Sequence, residues 1–199
     1  LKRTGHFLMA IDIRRKWILI DAASRKKAEE ALDLLRLTLG SLKVTPMATS
    51  DRPTALMTRW LAASTERAEG WALGEFCQLE SPSGNDGVIK VSEVDLDSDE
   101  IQQHLDGGRI CSALSIARTG QLAMQLQDDL GLKKIKFDDA LLEHADSGDD
   151  EASRFDADAH IHIPALAAVA EELITLLGGE VAPTLESAPG KPVQASKTA

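Results

Sequence analysis

The chain has no tyrosine, and aromatic residues make up only 4% of its 199 positions. That scarcity argues against a surface that grips unpaired bases by stacking, which needs several exposed rings. Trp17, Trp60 and Trp71 are therefore expected in the core. Cysteine is almost as rare: Cys77 and Cys111 have no CxxC partner, which excludes a zinc finger and a disulfide scaffold and predicts buried, reduced thiols. There is no run of 18 apolar residues, and the apolar segment near the N-terminus is too short for a secretory signal, so the expected compartment is the cytoplasm with no membrane partner. Gly-x-Ser-x-Gly and phosphate-cradling glycine loops are also missing, which removes the common nucleophile and nucleotide motifs.

Positive charge is in short supply overall, 22 Lys and Arg against 32 Asp and Glu, for a net charge of −10. It is unevenly spread. Residues 1–43 hold ten basic against five acidic side chains, whereas residues 44–199 hold 12 against 27. An anionic partner would be met chiefly by the first stretch, because distribution matters more than the total. The chain opens on Leu1 rather than Met and enters an apolar segment almost at once, so further chain upstream is expected. With 43% apolar residues it is long enough for a substantial core.

Two apolar β-prone runs, Phe7 to Ile13 and Trp17 to Ile20, predict an antiparallel hairpin, although its turn lacks Asn-Gly chemistry. Ser24 is a good N-cap for a helix whose apolar stripe is Ala28, Ala31, Leu32, Leu35 and Leu39, ending at Gly40. Asp51 is expected to cap a helix from about Thr54 to Ala63, and Asp97 to cap a shorter one ending at Gly107-Gly108. Residues 71–80 read as strand or loop, and Val88 to Glu93 as a strand. Three strands follow as a meander, Ile110 to Ile116, Leu122 to Gln127 and Leu132 to Phe137. In the last, Lys134 and Lys136 oppose Ile135 and Phe137 and so point away from the core. Asp138 to His144 is predicted as a short helix. Phe155 to Ile163 is predicted as a strand, with Pro164 opening a helix that runs to Gly178-Gly179. From about Val181 the Pro, Ala, Ser and Lys composition predicts a disordered tail, so the domain reading is 1–180 plus a tail at 181–199. Hairpin, helix, meander and terminal helix together give an α+β class, antiparallel sheet segments with packed helices.

Four ordered blocks then carry a family resemblance. They are Trp17 to Leu42, Asp86-Gly-Val-Ile-Lys90, Leu132-Lys-Lys-Ile-Lys-Phe137, and Arg154-Phe-Asp-Ala-Asp158 followed by Leu173 to Glu180. The chain resembles the bacterial recombination-associated protein RdgC family, lacking its N-terminal third. The resemblance implies a ring-shaped homodimer that holds double-stranded DNA in a basic central hole with little sequence preference. It implies a nucleoid-associated protein that restrains RecA-dependent recombination by occupying DNA, and with no catalytic motif in view the expected protein is not an enzyme. No cofactor or metal is expected.

Phosphate contact needs only Lys and Arg spaced along a backbone. Arg25, Lys26 and Lys27 crowd the first turn of a helix, where like charge opposes the macrodipole and a local anion would relieve the conflict. Lys133, Lys134 and Lys136 cluster on one strand. These six are the candidate DNA contacts, whereas Arg14, Arg15 and Lys16 read as ordinary solvated charge. If Phe155 to Ile163 were a strand, Asp156, Asp158, His160 and His162 would share a face and could hold a divalent metal, but the spacing fits no metal motif. The acidic stretch from Asp146 to Asp158 leaves a second function class open, an acidic module that binds a protein rather than DNA.

Overall fold

Asp12 makes the first hairpin possible. Strands β1 (Leu8–Asp12) and β2 (Trp17–Asp21) pair antiparallel from Leu8↔Asp21 to Asp12↔Trp17. In the turn, Asp12 Oδ1 accepts from the backbone N–H groups of Arg14 (2.9 Å) and Arg15 (3.0 Å), and Oδ2 accepts from Arg15 Nη1 at 2.9 Å. The missing Asn-Gly chemistry is thus supplied by a side chain that mimics a backbone turn. Those hydrogen bonds, the Arg15 N–H first, favour the charged form and hold the Asp12 carboxyl below its ordinary value. Lys16 takes the left-handed position, with φ at +59°.

The computed structural model describes residues 7–83, 87–142 and 150–182, and the chain divides into two compact units, residues 1–46 and 47–199. Unit 1 adds to its hairpin the helix α1 (Arg25–Leu39), capped as expected, with Ser24 Oγ accepting from Lys27 N and Gly40 ending it at a φ of +78°. Ala31 is buried and Ala28, Leu32 and Leu35 are half-buried, but Leu39, the last residue of the expected stripe, is exposed.

Unit 2 is built on a five-stranded antiparallel sheet in the order β4-β3-β5-β6-β7. Its strands are β3 (Trp71–Glu80), β4 (Val88–Ser92), β5 (Ile110–Arg118), β6 (Leu122–Gln127) and β7 (Leu132–Phe137). The meander falls where the turn residues place it, and residues 71–80 resolve as strand. The helices of the unit are α2 (Pro53–Ala62), α3 (Asp99–Asp106), the four-residue α4 (Asp139–Leu142) and α5 (Glu151–Leu176). Trp60 and Leu61 of α2, Ile101 of α3, and Val169 and Leu173 of α5 join Leu114 and Met124 of the sheet in one apolar cluster. Unlike side chains on the two faces of each strand explain why only one face is covered. The fold class is α+β, as the pattern of elements predicts.

Both expected acidic caps in unit 2 are corrected. The N-cap of α2 is Arg52, with no side-chain cap; Asp51 instead donates its backbone N–H to Leu177 O at 2.8 Å. The N-cap of α3 is Ser98, because Asp97 is engaged by the guanidinium of Arg67, whose Nε also donates to Trp60 O at 3.0 Å. The Arg67 hydrogen bonds hold the Asp97 carboxyl below its ordinary value. A charged partner from elsewhere in the chain outcompetes a local cap.

The larger correction concerns residues 155–163, which are helix, not strand, inside α5; Pro164 lies within that helix rather than at its start. Asp150 caps it, Oδ1 accepting from Ser153 N at 2.7 Å. Phe155, Ala159, Ile163 and Ala167 recur every fourth residue, a helical row that prevails over the alternation seen from Asp156 to His162. A proline costs the helix one N–H donor, yet α5 continues through it and seats Val169 and Leu173 in the core. By length and composition α5 could also cross a membrane. The end of unit 2 is tied to its beginning by an isolated bridge, Thr49↔Glu180, and by Ser50 N to Gly179 O and Val181 N to Ala48 O. Of the acidic stretch from Asp146 to Asp158, residues 150–158 are the N-cap and first turns of α5, whereas residues 146–149, the last two residues of the expected helix Asp138 to His144, and the tail from 183 lie outside the described residues.

Candidate nucleic-acid interface

The lysine strand is bent by a bulge. Gln125 pairs with Lys133 and Ala123 with Lys136, so two steps along β6 are matched by three along β7. Lys134 absorbs the extra residue with φ at +50°, in the left-handed region. Simple alternation would turn Lys133 inward with Ile135 and Phe137. With the bulge, Leu132, Ile135 and Phe137 pack on the core while Lys133, Lys134 and Lys136 are all exposed. The structure thereby brings three ammonium groups to one side of an edge strand. Lys133 Nζ donates to Gln127 Oε1 at 3.1 Å, and Lys134 Nζ stands 5.4 Å from the centroid of the Phe76 ring. Lys136 makes no ion pair among the described residues.

The register carries this polar side across the sheet. Gln125 opposes Ser115, Ala123 opposes Ala117, and Gln78 opposes Ala113 on one side and Lys90 on the other. Gln78 Nε2 donates to Glu80 Oε1 (2.7 Å) and to Ser112 Oγ (3.0 Å), and Ser112 Oγ donates to Glu80 Oε1 at 2.8 Å. Lys90, Phe76 and Gln125 are members of this surface that sequence reasoning missed. Lys90 was legible, since it alternates with Ile89 and Val91. Phe76 was not, because β3 carries its own irregularity between Leu73 and Cys77, where four steps oppose two on β5. Gly74 sits there so close to β5 that an added Cβ would lie 2.8 Å from Ser115 Cβ.

In unit 1, Arg25, Lys26 and Lys27 are all exposed at the start of α1, whose first turn holds no acid. Lys27 Nζ pairs with Glu30 Oε2 at 2.6 Å, so part of the charge conflict is relieved within the helix. Arg14 and Arg15 belong to the hairpin turn, with Arg15 paired to Asp12 and lying 5.9 Å from the Trp17 ring centroid.

The metal reading does not survive the helix. At 100° per residue, Asp156 and His160 fall on one side of α5 and Asp158 and His162 on another. His160 Nδ1 bonds Asp156 O at 2.8 Å, and His162 stacks on Phe137 with centroids 4.0 Å apart. Among the described residues no group of three or more His, Cys, Asp or Glu is placed to hold a metal ion. Cys77 and Cys111 are buried free thiols, as expected. Burial pushes the Cys77 pKa up to about 11, and burial together with the neighbouring Cys77 raises that of Cys111 as well. Neither is a thiolate nucleophile.

Comparison with known proteins gives a consistent result. Residues 1–180 match the family described as "Putative exonuclease, RdgC". The "Recombination-associated protein RdgC" of Yersinia enterocolitica is 39% identical over 180 residues, covering 89% of this chain and 59% of that protein. Its namesakes in Proteus mirabilis and Pseudomonas aeruginosa are each 38% identical, over 172 and 168 residues, covering 85% and 83% of this chain and 57% and 55% of theirs. The chain thus spans less than two thirds of the length of these relatives.

Proposed function

Because the chain belongs to the RdgC family of recombination-associated proteins, we propose that it is the greater part of a protein that binds double-stranded DNA through its phosphates without reading sequence. In its full length the protein is a ring-shaped homodimer that acts at the nucleoid in the cytoplasm. It restrains RecA-dependent recombination by occupancy, since duplex covered by this protein is closed to a RecA filament. The observation that carries the reading is the β7 bulge, which turns Lys133, Lys134 and Lys136 outward together. Three cations on one strand suit phosphate oxygens and carry no base-specific geometry. Arg25, Lys26 and Lys27 form a second contact group at a helix N-terminus, where backbone N–H groups also favour an anion.

The chemistry proposed is binding, not cleavage, although the family description includes an exonuclease. Support comes from the separation of the two Asp-His pairs on α5 and from the buried, protonated thiols. End-labelled duplex incubated with the protein and Mg²⁺ or Mn²⁺ is expected to stay full length; shortening that is lost in a lysine-preserving carboxylate variant would establish the exonuclease instead.

The direct test is duplex affinity against salt. Each phosphate contact contributes about 0.9 to the slope of log K against log salt. Replacing Lys133, Lys134 and Lys136 together by Gln is expected to lower the slope by about 2 to 3. No binding at low salt, by this chain or by a full-length relative, overturns the reading. Light scattering of the full-length protein tests the dimer.

A further inference from the structure

A cleft of about 500 Å³, open along one side, lies in unit 2 between the turn that leads into β3 and the C-terminal half of α5. One wall is a single helical stripe, Ala168, Glu171, Glu172, Thr175 and Leu176, spaced at three and four residues. The other is the turn at Ala68 and Glu69, closed by Trp71 N donating to Ala68 O at 3.1 Å. Trp71 makes the floor, 8% exposed and backed by Trp60, with the two ring centroids 5.6 Å apart. The floor is therefore apolar and firmly packed, whereas the rim is acidic: among the described residues three glutamates and no lysine or arginine line the cleft.

The charge of that rim is answered only in part from within the chain. Arg118 Nε donates to Glu172 Oε2 at 2.7 Å, and its guanidinium lies so close to Gly70 that an added Cβ would fall 1.8 Å from Nη1. Glycine is needed there both for that approach and for its φ of +79°. Glu69, on the opposite wall, is exposed and makes no hydrogen bond or ion pair among the described residues. Beside Trp71 the molecule thus already holds one guanidinium, between a carboxylate of α5 and a bare stretch of backbone, and a second carboxylate lining the same cleft is left without a cation.

We propose that the cleft is a docking site for a basic segment of a partner protein, an arginine flanked by apolar residues. The guanidinium bonds Glu69 and stands over the accessible part of the Trp71 indole, with the charge of Glu171 beside it. An apolar neighbour of that arginine packs on Ala168 and Leu176. Charge complementarity selects this occupant. The rim repels phosphate, and among the described residues no group of three ligands is placed to hold a metal ion. A cleft of this size, open along one side, receives one or two side chains of a segment laid across it, and a tryptophan with an arginine is a common anchor pair in such contacts. The cleft lies on the helix-covered side of the sheet and the β7 lysines on the other, so a basic partner and an anionic one do not compete for the same surface.

The test uses the 199-residue chain and three probes: a short acetylated peptide amide alternating Arg and Leu, the same peptide with citrulline in place of Arg, and spermidine. The arginine peptide is expected to bind about tenfold more tightly than the citrulline peptide, which keeps the shape and loses the charge. Glu69→Gln should weaken it about fivefold, whereas Glu29→Gln, which removes an exposed carboxylate of unit 1, should leave it unchanged. Equal losses in the two variants would mean mere attraction to an acidic chain and would overturn the site. Thr175→Arg, a change at an exposed position that brings a guanidinium of the chain's own to the stripe, should abolish binding without altering the urea transition. During the titration of the unmutated chain, backbone amide NMR shifts should concentrate in residues 68–72 and 168–176. Shifts centred elsewhere, equal affinity for the arginine and citrulline peptides, or spermidine bound as tightly as the arginine peptide each overturn the proposal. If the peptide binds only after residues 183–199, with Lys191 and Lys197, are removed, the occupant is the chain's own tail and the partner reading is overturned.

Discussion

Among the described residues, unit 1 buries one apolar side chain, Ala31, whereas unit 2 buries twenty, from Leu56 to Leu177. Unit 1 also exposes Ile13 (85%) and Leu37 (80%), along with Leu8, Ile11, Leu34 and Leu39. Both have sound local chemistry: a helix with a side-chain N-cap (Ser24 in unit 1, Asp150 in unit 2), paired strands, and glycines where left-handed turns require them. What differs is closure. A two-stranded hairpin with one helix has too little surface to enclose a core, whereas five strands under three helices have enough. Good local signals are therefore compatible with a unit that cannot stand alone.

The sharpest way to break this comparison is to separate the units. Residues 47–182 by themselves are expected to unfold in one cooperative transition in urea, and residues 1–46 to show none; a cooperative transition in the short fragment would refute the contrast. Next in size is Trp60→Ala in the intact chain, expected to cost about 3–5 kcal/mol because its neighbours in α2 and β3 cannot collapse onto the space. The paired change in unit 1, Leu37→Ser, should stay within about 0.5 kcal/mol of the parent in the same denaturation.

A smaller effect separates packing from charge within unit 2. Arg67→Ala removes the bonds to both Trp60 O and Asp97 and should cost about 1–3 kcal/mol. Asp97→Asn should cost less, at most about 1 kcal/mol, since Asp97 is exposed and solvent screens the pair. The sign with pH follows from the lowered Asp97 pKa. Its contribution is fully present above the ordinary value of 3.8 and is lost as the pH falls through the folded value, so parent and Asp97→Asn should converge in acid melts. Smallest of all is the thiol response: at pH 8 neither Cys77 nor Cys111 should react with a disulfide reagent faster than unit 2 opens, and both should react at once in denaturant.

Legibility in the sequence followed the same divide between local and distant causes. The hairpin, α1 and the β5–β7 meander were readable because Ser24, Gly40 and the short β-prone runs act on their immediate neighbours. Asp51 and Asp97 looked like caps and were not, because Leu177 and Arg67, far away in sequence, claim Asp51's backbone and Asp97's carboxylate. The stretch 155–163 alternates over nine residues, and only its continuation into a 26-residue helix reveals the row of four. Among the candidate contacts, the lysines of β7 could be named from the sequence, but not the bulge that turns Lys133 to join the others.

The bridge between Thr49 and Glu180 has a mechanical consequence. Because chain enters and leaves unit 2 side by side, held by Ser50 to Gly179, Asp51 to Leu177 and Val181 to Ala48, tension applied to the two ends falls on these few bonds one after another, as on a zip. The sheet and its lysines come under load only once that junction opens. Unit 2 is in this sense held by a clasp, which a pull on the backbone would undo before the sheet began to unfold.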